Sequence, residues 1–197
     1  ATQNFGVLPT KNWQQGTFDG WQKIQGEELS KRFLIKNSAC YGCPIGCGRK
    51  TRVDVPEFAG EGEGPEYETI YAMGSNCMVD DLAAITKANY ICNELGMDTI
   101  TMGTTIACAM ELVDRGYLSQ DQVGHSLKWG DADALVELTR LTGNREGFGD
   151  ILAQGSYRLA HRYGHPELAP VSKKQEFAGY EPRGCQAMGL AYATSPI

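Results

Sequence analysis

The run DDLAAITKANYICNELGMDTITMGTTIACAMELVDRG, residues 80–116, reads as two helices in direct succession. Leu82, Ile85, Ala88, Ile91 and Cys92 recur at the spacing that lines one helical face, with Asp80 as the cap that opens it and Gly96 as its stop. Asp98 then caps a second helix over the apolar run Ile100 to Val113, ended by Gly116. The same grammar recurs downstream. Asp131 opens Ala132 to Leu141 with Gly143 as the stop, and Gly149 to Tyr163 turns Ile151, Leu152, Tyr157 and Leu159 inward before Gly164. Upstream, Gly26 to Lys36 reads as a short helix with Leu29, Phe33 and Leu34 on one face, and Arg49 to Val55 as a brief strand or extended arm. At least four helices and little strand signal predict a mainly helical fold.

Composition places the 197 residues among ordinary globular chains: 42% are hydrophobic and 21% charged. A net charge of −6 and no basic cluster interleaved with aromatics exclude a nucleic-acid surface. No apolar run approaches the length of a membrane span, and the opening ATQNFGVLPTKNW lacks the regions of a signal peptide. Seven cysteines, three in one tight turn and the rest scattered, suit intracellular metal chemistry better than a secreted disulfide framework, so the expected compartment is the cytoplasm. The polar start without Met, and the stop just after a dense motif region, read as the ends of a piece of something larger.

Cys40, Cys43 and Cys47, in CYGCPIGCGR, form a C-x2-C-x3-C turn with Gly42, Pro44 and Gly46 interleaved. Three thiolates on a tight turn suit an iron–sulfur cluster. The spacing is neither the reversed order associated with radical chemistry on S-adenosylmethionine nor the bacterial ferredoxin run. A structural zinc site or three free thiols are the alternatives, although the second C-x2-C of a zinc ribbon is absent. Three further segments spend glycine and charge unusually: Glu61-Gly-Glu-Gly-Pro-Glu66-Tyr-Glu68, Asn93-Glu-Leu-Gly96-Met-Asp98-Thr99, and Tyr180-Glu-Pro-Arg183-Gly184 before Gly189 to Ser195. Singly, each reads as a solvated acidic loop, an ordinary helix cap and a turn.

Together, in this order, CYGCPIGCGR, GEGPEYETIYAMGSN, ICNELGMDTIT and EFAGYEPRGCQAMGLAYATSP resemble the aldehyde ferredoxin oxidoreductase family of tungsten enzymes, and the likeness covers nearly the whole chain. The resemblance implies a helical middle domain over residues 1–170, carrying the cysteine turn and the first pterin motif, with residues 171–197 beginning a following helical domain. It implies a tungsten ion held by two pyranopterins (tungstopterin), a [4Fe-4S] cluster, and electrons passed to ferredoxin or an iron–sulfur subunit in a homo- or hetero-oligomer. The substrate it implies is a small aldehyde, oxidised to the carboxylic acid. A tungsten-dependent benzoyl-coenzyme A reductase subunit is the alternative within the family, and a non-catalytic electron-transfer or zinc-binding helical module the alternative outside it.

By the same likeness, Cys40, Cys43 and Cys47 are cluster ligands, with a fourth ligand beyond Ile197. The pterin pattern falls on Asn93, Gly96, Met97 and Asp98, where Asn93 and Met97 depart from the family's Asp and Leu. Arg183 joins this cofactor-binding set. Glu66 and Glu68 fall where the family places a carboxylate near tungsten, and Glu68 is the favoured proton acceptor. The family's histidine would follow the Ala-Thr-Ser run, so His125, His161 and His165 read as surface or capping residues. No Glu-x-x-His pattern for a dimer-bridging metal occurs.

Overall fold

The computed structural model describes residues 2–196. Helices α1 (Trp21–Ile24) and α2 (Gly26–Arg32) lead into a three-stranded antiparallel sheet, order β1-β2-β3, of β1 (Leu34–Ser38), β2 (Gly48–Val53) and β3 (Gly60–Glu63). The helical body follows as α3 (Tyr67–Met73), α4 (Leu82–Leu95), α5 (Thr99–Asp114), α6 (Gln120–Val123), α7 (Ala132–Asn144), α8 (Phe148–Leu152) and α9 (Gly155–Arg162). A two-stranded hairpin, β4 (Val171–Ser172) and β5 (Gln175–Glu176), precedes α10 (Gln186–Thr194). The chain is mainly helical, as its periodicity predicts. Among the described residues no helix is long and apolar enough to cross a membrane.

Helix α5 is the axis. Every residue from Met102 to Leu112 is buried, the pattern of a helix packed all round. Helices α3 and α9 lie against it, and α4 packs on α7. The contact with α3 is close enough to demand glycine: a Cβ on Gly103 would stand 2.5 Å from the Ala72 carbonyl carbon.

Several boundaries differ from the sequence reading, each for a local reason. The helix expected over Gly26 to Lys36 ends at Arg32, because residues 34–38 pair with β2 and leave Ile35 exposed. Asp81 rather than Asp80 caps α4, accepting from the Ala83 and Ala84 amides, while Asp80 pairs with Lys23. Gly143 does not end α7. It lies inside the helix, where a Cβ would meet Leu95, and Arg145 takes the left-handed cap at φ 58°. The single helix expected from Gly149 to Tyr163 is two, separated at Gly155 with φ +82°.

The acidic glycine run is not a solvated loop. Residues Gly60–Glu63 form β3, and the Tyr90 ring of α4 lies on its glycines, 2.9 Å from where a Gly62 Cβ would sit. The Tyr90 hydroxyl shares a hydrogen bond of 2.7 Å with Thr51 of β2. Glycine spacing therefore docks the sheet on the helical body.

Gly103→Ala should lower stability by about 1–3 kcal/mol, the usual cost of overpacking, because its new methyl meets Ala72 backbone rather than a movable side chain. Thermal or denaturant unfolding of the variant checks this. A midpoint equal to that of the wild type would mean that α3 and α5 are not so closely apposed.

Candidate functional site

Three stretches far apart in the sequence meet where α3 and α5 begin. The hydroxyls of Thr69 and Thr99 share a hydrogen bond of 2.8 Å, which brings the preceding carboxylates, Glu68 and Asp98, to one junction. Asp98 caps α5, its Oδ2 accepting from the Thr101 amide at 2.6 Å. The third stretch is residues 177–183. The Gly179 N–H donates to Glu68 Oε2 at 2.8 Å. Burial pushes the half-buried Glu68 carboxyl above its ordinary range; the Gly179 N–H opposes this, and the charge of Asp98 adds to it.

Glu66 faces elsewhere. It is exposed and pairs with Arg49 at 2.6 Å. Arg49 follows the cysteine turn by two residues, and it also donates to the Pro65 carbonyl at 3.3 Å. One guanidinium thus ties the cysteine hairpin to the start of α3. Arg49, Glu66, Tyr67 and Tyr71 border a cavity of about 1130 Å³ that reaches to Trp21 and Leu29.

The cysteine turn is the loop of the β1–β2 hairpin, closed where Ser38 pairs with Gly48. Gly42 and Gly46 take φ of 70° and 59°, conformations that favour glycine, and the Cys43 N–H donates to the Cys40 carbonyl at 3.0 Å. Cys40 and Cys47 are exposed and Cys43 half-buried. Cys77, Cys92 and Cys108 are wholly buried, and burial pushes their thiols up, Cys92 to about 12. A metal ligand must be a thiolate, so the donor chemistry disfavours these three, whereas the hairpin cysteines and the half-buried Cys185 remain accessible. Among the described residues no three Cys, His, Asp or Glu side chains are gathered as a metal would require.

The remaining expected residues separate. Asn93 and Gly96 are exposed, Gly96 with φ +67° as the left-handed cap of α4. Met97 and Asp98 line a cavity of about 320 Å³ with Thr101, Thr105, Thr142 and Arg145. That volume and mixed lining are within the range of a small-molecule site. Arg183 grips Glu181, which is only 3% exposed, through Nε at 2.8 Å and a second nitrogen at 2.7 Å, and donates to the Trp13 carbonyl at 2.7 Å. His161 bonds the Tyr157 carbonyl and His165 stacks on Tyr117.

Sequence reasoning missed Gly179, Arg49 and Arg145. Gly179 and Arg49 lie inside the motifs EFAGYEPRG and CYGCPIGCGR, but a backbone donor and a cross-link carry no signature of their own. Arg145 occupies a left-handed cap where glycine would be expected, so nothing in the sequence marks it.

A family model described as "Aldehyde ferredoxin oxidoreductase, domains 2 & 3" matches residues 1–197. The tungsten-containing aldehyde ferredoxin oxidoreductases of Pyrococcus furiosus and Thermococcus kodakarensis are 46% and 45% identical over 192 residues, covering 96% of this chain in each case. The chain spans 31% of the length of each of these relatives. Among solved structures, the active site complex BamBC of benzoyl coenzyme A reductase with 1,5-dienoyl-CoA aligns at TM-score 0.67, covering 78% of this chain and 23% of that one. At 24% identity the likeness supports the fold alone.

Arg183→Ala removes charge-assisted hydrogen bonds from a buried carboxylate, and should cost about 1–3 kcal/mol in a denaturant titration with the bound cofactor unchanged. Loss of cofactor at an unaltered unfolding midpoint would instead make Arg183 a cofactor contact.

Proposed function

The chain belongs to the aldehyde ferredoxin oxidoreductase family, and from that membership we propose that it supplies the cluster-bearing and pterin-bearing part of a tungsten-dependent oxidoreductase. The reaction takes an aldehyde and water to a carboxylic acid, releasing two electrons and two protons. The observation that carries this reading is the junction of Glu68, Asp98 and Gly179, a half-buried carboxylate aligned by a backbone donor beside the pterin motif.

Cys40, Cys43 and Cys47 would hold a [4Fe-4S] cluster, their three soft donors lying on one loop while the buried thiols stay protonated. Met97 and Asp98, with Asn93 and Gly96 beside them, would hold the pterin at the smaller cavity. When bound, the tungsten–pterin and iron–sulfur groups supply the two-electron acceptor and the route by which electrons leave to ferredoxin or an electron-transfer subunit.

The residues of this chain handle the proton. Glu68 Oε2 is taken by the Gly179 N–H, so the proton lost by water attacking the aldehyde carbon passes to Oε1. Partial burial raises the carboxyl so that it binds a proton more readily than an exposed glutamate. Glu66, neutralised by Arg49, is the weaker candidate and serves to fix the entry to α3.

Glu68→Gln in the tungsten-loaded enzyme should retain tungsten and iron yet lose roughly 10² to 10⁴ in turnover, with Glu66→Gln milder. Equal activity for Glu68→Gln and the wild type would sink the proton-acceptor role.

Because the Glu68 carboxyl is raised, its ionised form is lost as pH falls through a value above the ordinary glutamate range. Turnover should therefore decline on the acid side at correspondingly higher pH. An acid limb at or below the ordinary value contradicts this.

Replacing Cys40, Cys43 or Cys47 by Ala should strip iron from protein purified without oxygen, whereas Cys77→Ala, Cys92→Ala and Cys108→Ala should keep it. Zinc as the sole stoichiometric metal of the wild type would place the chain in the non-catalytic class.

A further inference from the structure

The backbone at residues 177–179 is held at every carbonyl by a tyrosine. Tyr71 donates to the Phe177 carbonyl at 2.6 Å, Tyr192 of α10 to that of Ala178 at 2.8 Å, and Tyr67 to that of Gly179 at 2.5 Å. Tyr67 and Tyr71 stand one turn apart on α3, so one helix face carries both hydroxyls. Between them in sequence sits Glu68, which receives the N–H of the same segment at 2.8 Å. The Tyr71 ring lies so close that a Cβ on Gly179 would stand 2.3 Å from its Cδ1, and only glycine allows the approach.

A second feature backs the same segment. Lys11, Asn12 and Trp13 have consecutive φ of 52°, 47° and 64°, a left-handed turn of three non-glycine residues. Such conformations are costly and persist only when the surroundings over-determine them. Here the Lys11 and Asn12 amides donate to the Ser75 and Asn76 carbonyls, and the Trp13 carbonyl accepts from Arg183. The turn delivers Trp13 edge-on to Tyr71, with ring centroids 6.2 Å apart, and to Phe177 at 5.3 Å. Three elements thus converge on a short stretch of backbone whose Gly179 N–H is donated to the Glu68 carboxylate.

We propose that Tyr67, Tyr71 and Tyr192 are positioning residues for Glu68: by fixing three successive carbonyls they hold the Gly179 N–H on its carboxylate and set the pH range over which it is ionised. The inference rests on the reading of Glu68 as the proton acceptor. The groups facing that carboxyl are Asp98 at the start of α5, Tyr67 and Tyr71 on its own helix, and Tyr192 on α10. Burial pushes all three tyrosine hydroxyls up, Tyr192 to about 12, so they stay protonated donors while Glu68 titrates. Removing one hydroxyl frees a carbonyl, loosens the Gly179 N–H and leaves burial and Asp98 to favour the protonated acid.

The test is Tyr67→Phe, Tyr71→Phe and Tyr192→Phe, made singly in the cofactor-loaded enzyme. Protonation of Glu68 is followed by infrared difference spectra across pH, its carboxyl band assigned by its absence in Glu68→Gln. The expected result is a midpoint moved up by about half a unit or more, with the acid limb of kcat following and KM unchanged. If Tyr71→Phe fails to fold, the two partly exposed positions, Tyr67 and Tyr192, carry the measurement. Glu68 titrating in the tyrosine variants as in the wild type, with only a lowered melting point, would reduce the tyrosines to packing and overturn the proposal. A shifted carboxyl titration with an unshifted kcat profile would keep the clamp and remove Glu68 from proton transfer.

Discussion

The approach of α3 to α5 at Gly103 and Ala72 is the contact on which the rest is built. Two helices meeting at glycine can share hydroxyl contacts at their ends, and Thr69 and Thr99 do so. Glu68 and Asp98 then fall beside each other although their like charges oppose it. Buried on all sides from Met102 to Leu112, α5 is a rigid reference against which small displacements of a carboxylate matter. The candidate chemistry sits at the end of this axis, where backbone and polar side chains replace apolar packing.

The sheet serves the same frame. It is small, its strands are largely exposed, and it adds little to the core. Its attachment is specific nevertheless. Tyr90 lies on Gly60 and Gly62, and its hydroxyl reaches Thr51, so β2 and β3 are fastened to α4 at one aromatic ring. The cysteine loop projects from the far end of the hairpin, with Tyr41 fully exposed and Ile45 78% exposed upon it. Loop residues of this character, on a hairpin held at its base, are suited to carry a site without disturbing the core.

Helix existence was legible in the sequence because apolar period, aspartate caps and glycine stops agree over α4 and α5. Boundaries were less so wherever tertiary contact overrides a local signal. Gly143 looks like a stop and is a packing residue under Leu95; residues 34–38 continue a helical pattern and pair with β2 instead. Glycines 60 and 62 look like a loop because a sequence does not reveal the ring that will lie on them. At the site, Glu68, Asp98 and the cysteine turn could be named from motifs. What those residues touch could not, since Gly179 acts through its N–H and Arg49 through a pairing across the sheet edge.

Arg49 joins the two halves of the candidate site. It follows Cys47 by two residues, accepts the Gly64 N–H at its own carbonyl at 2.6 Å, and reaches Glu66 and the Pro65 carbonyl with its guanidinium. The exposed end of that ion pair is worth little in free energy, because water screens it. Its geometric effect is larger. A carboxylate at Glu66 held to the hairpin fixes the residue from which α3 starts, and therefore the orientation of Tyr67 and Glu68 immediately after it. The cysteine loop and the carboxylate at Glu68 are thus parts of one continuous stretch of backbone, constrained at Arg49 on one side and by the Gly179 N–H on the other. The cysteine loop and the Glu68 carboxylate are therefore held in register by neighbouring residues rather than by the helical core between them.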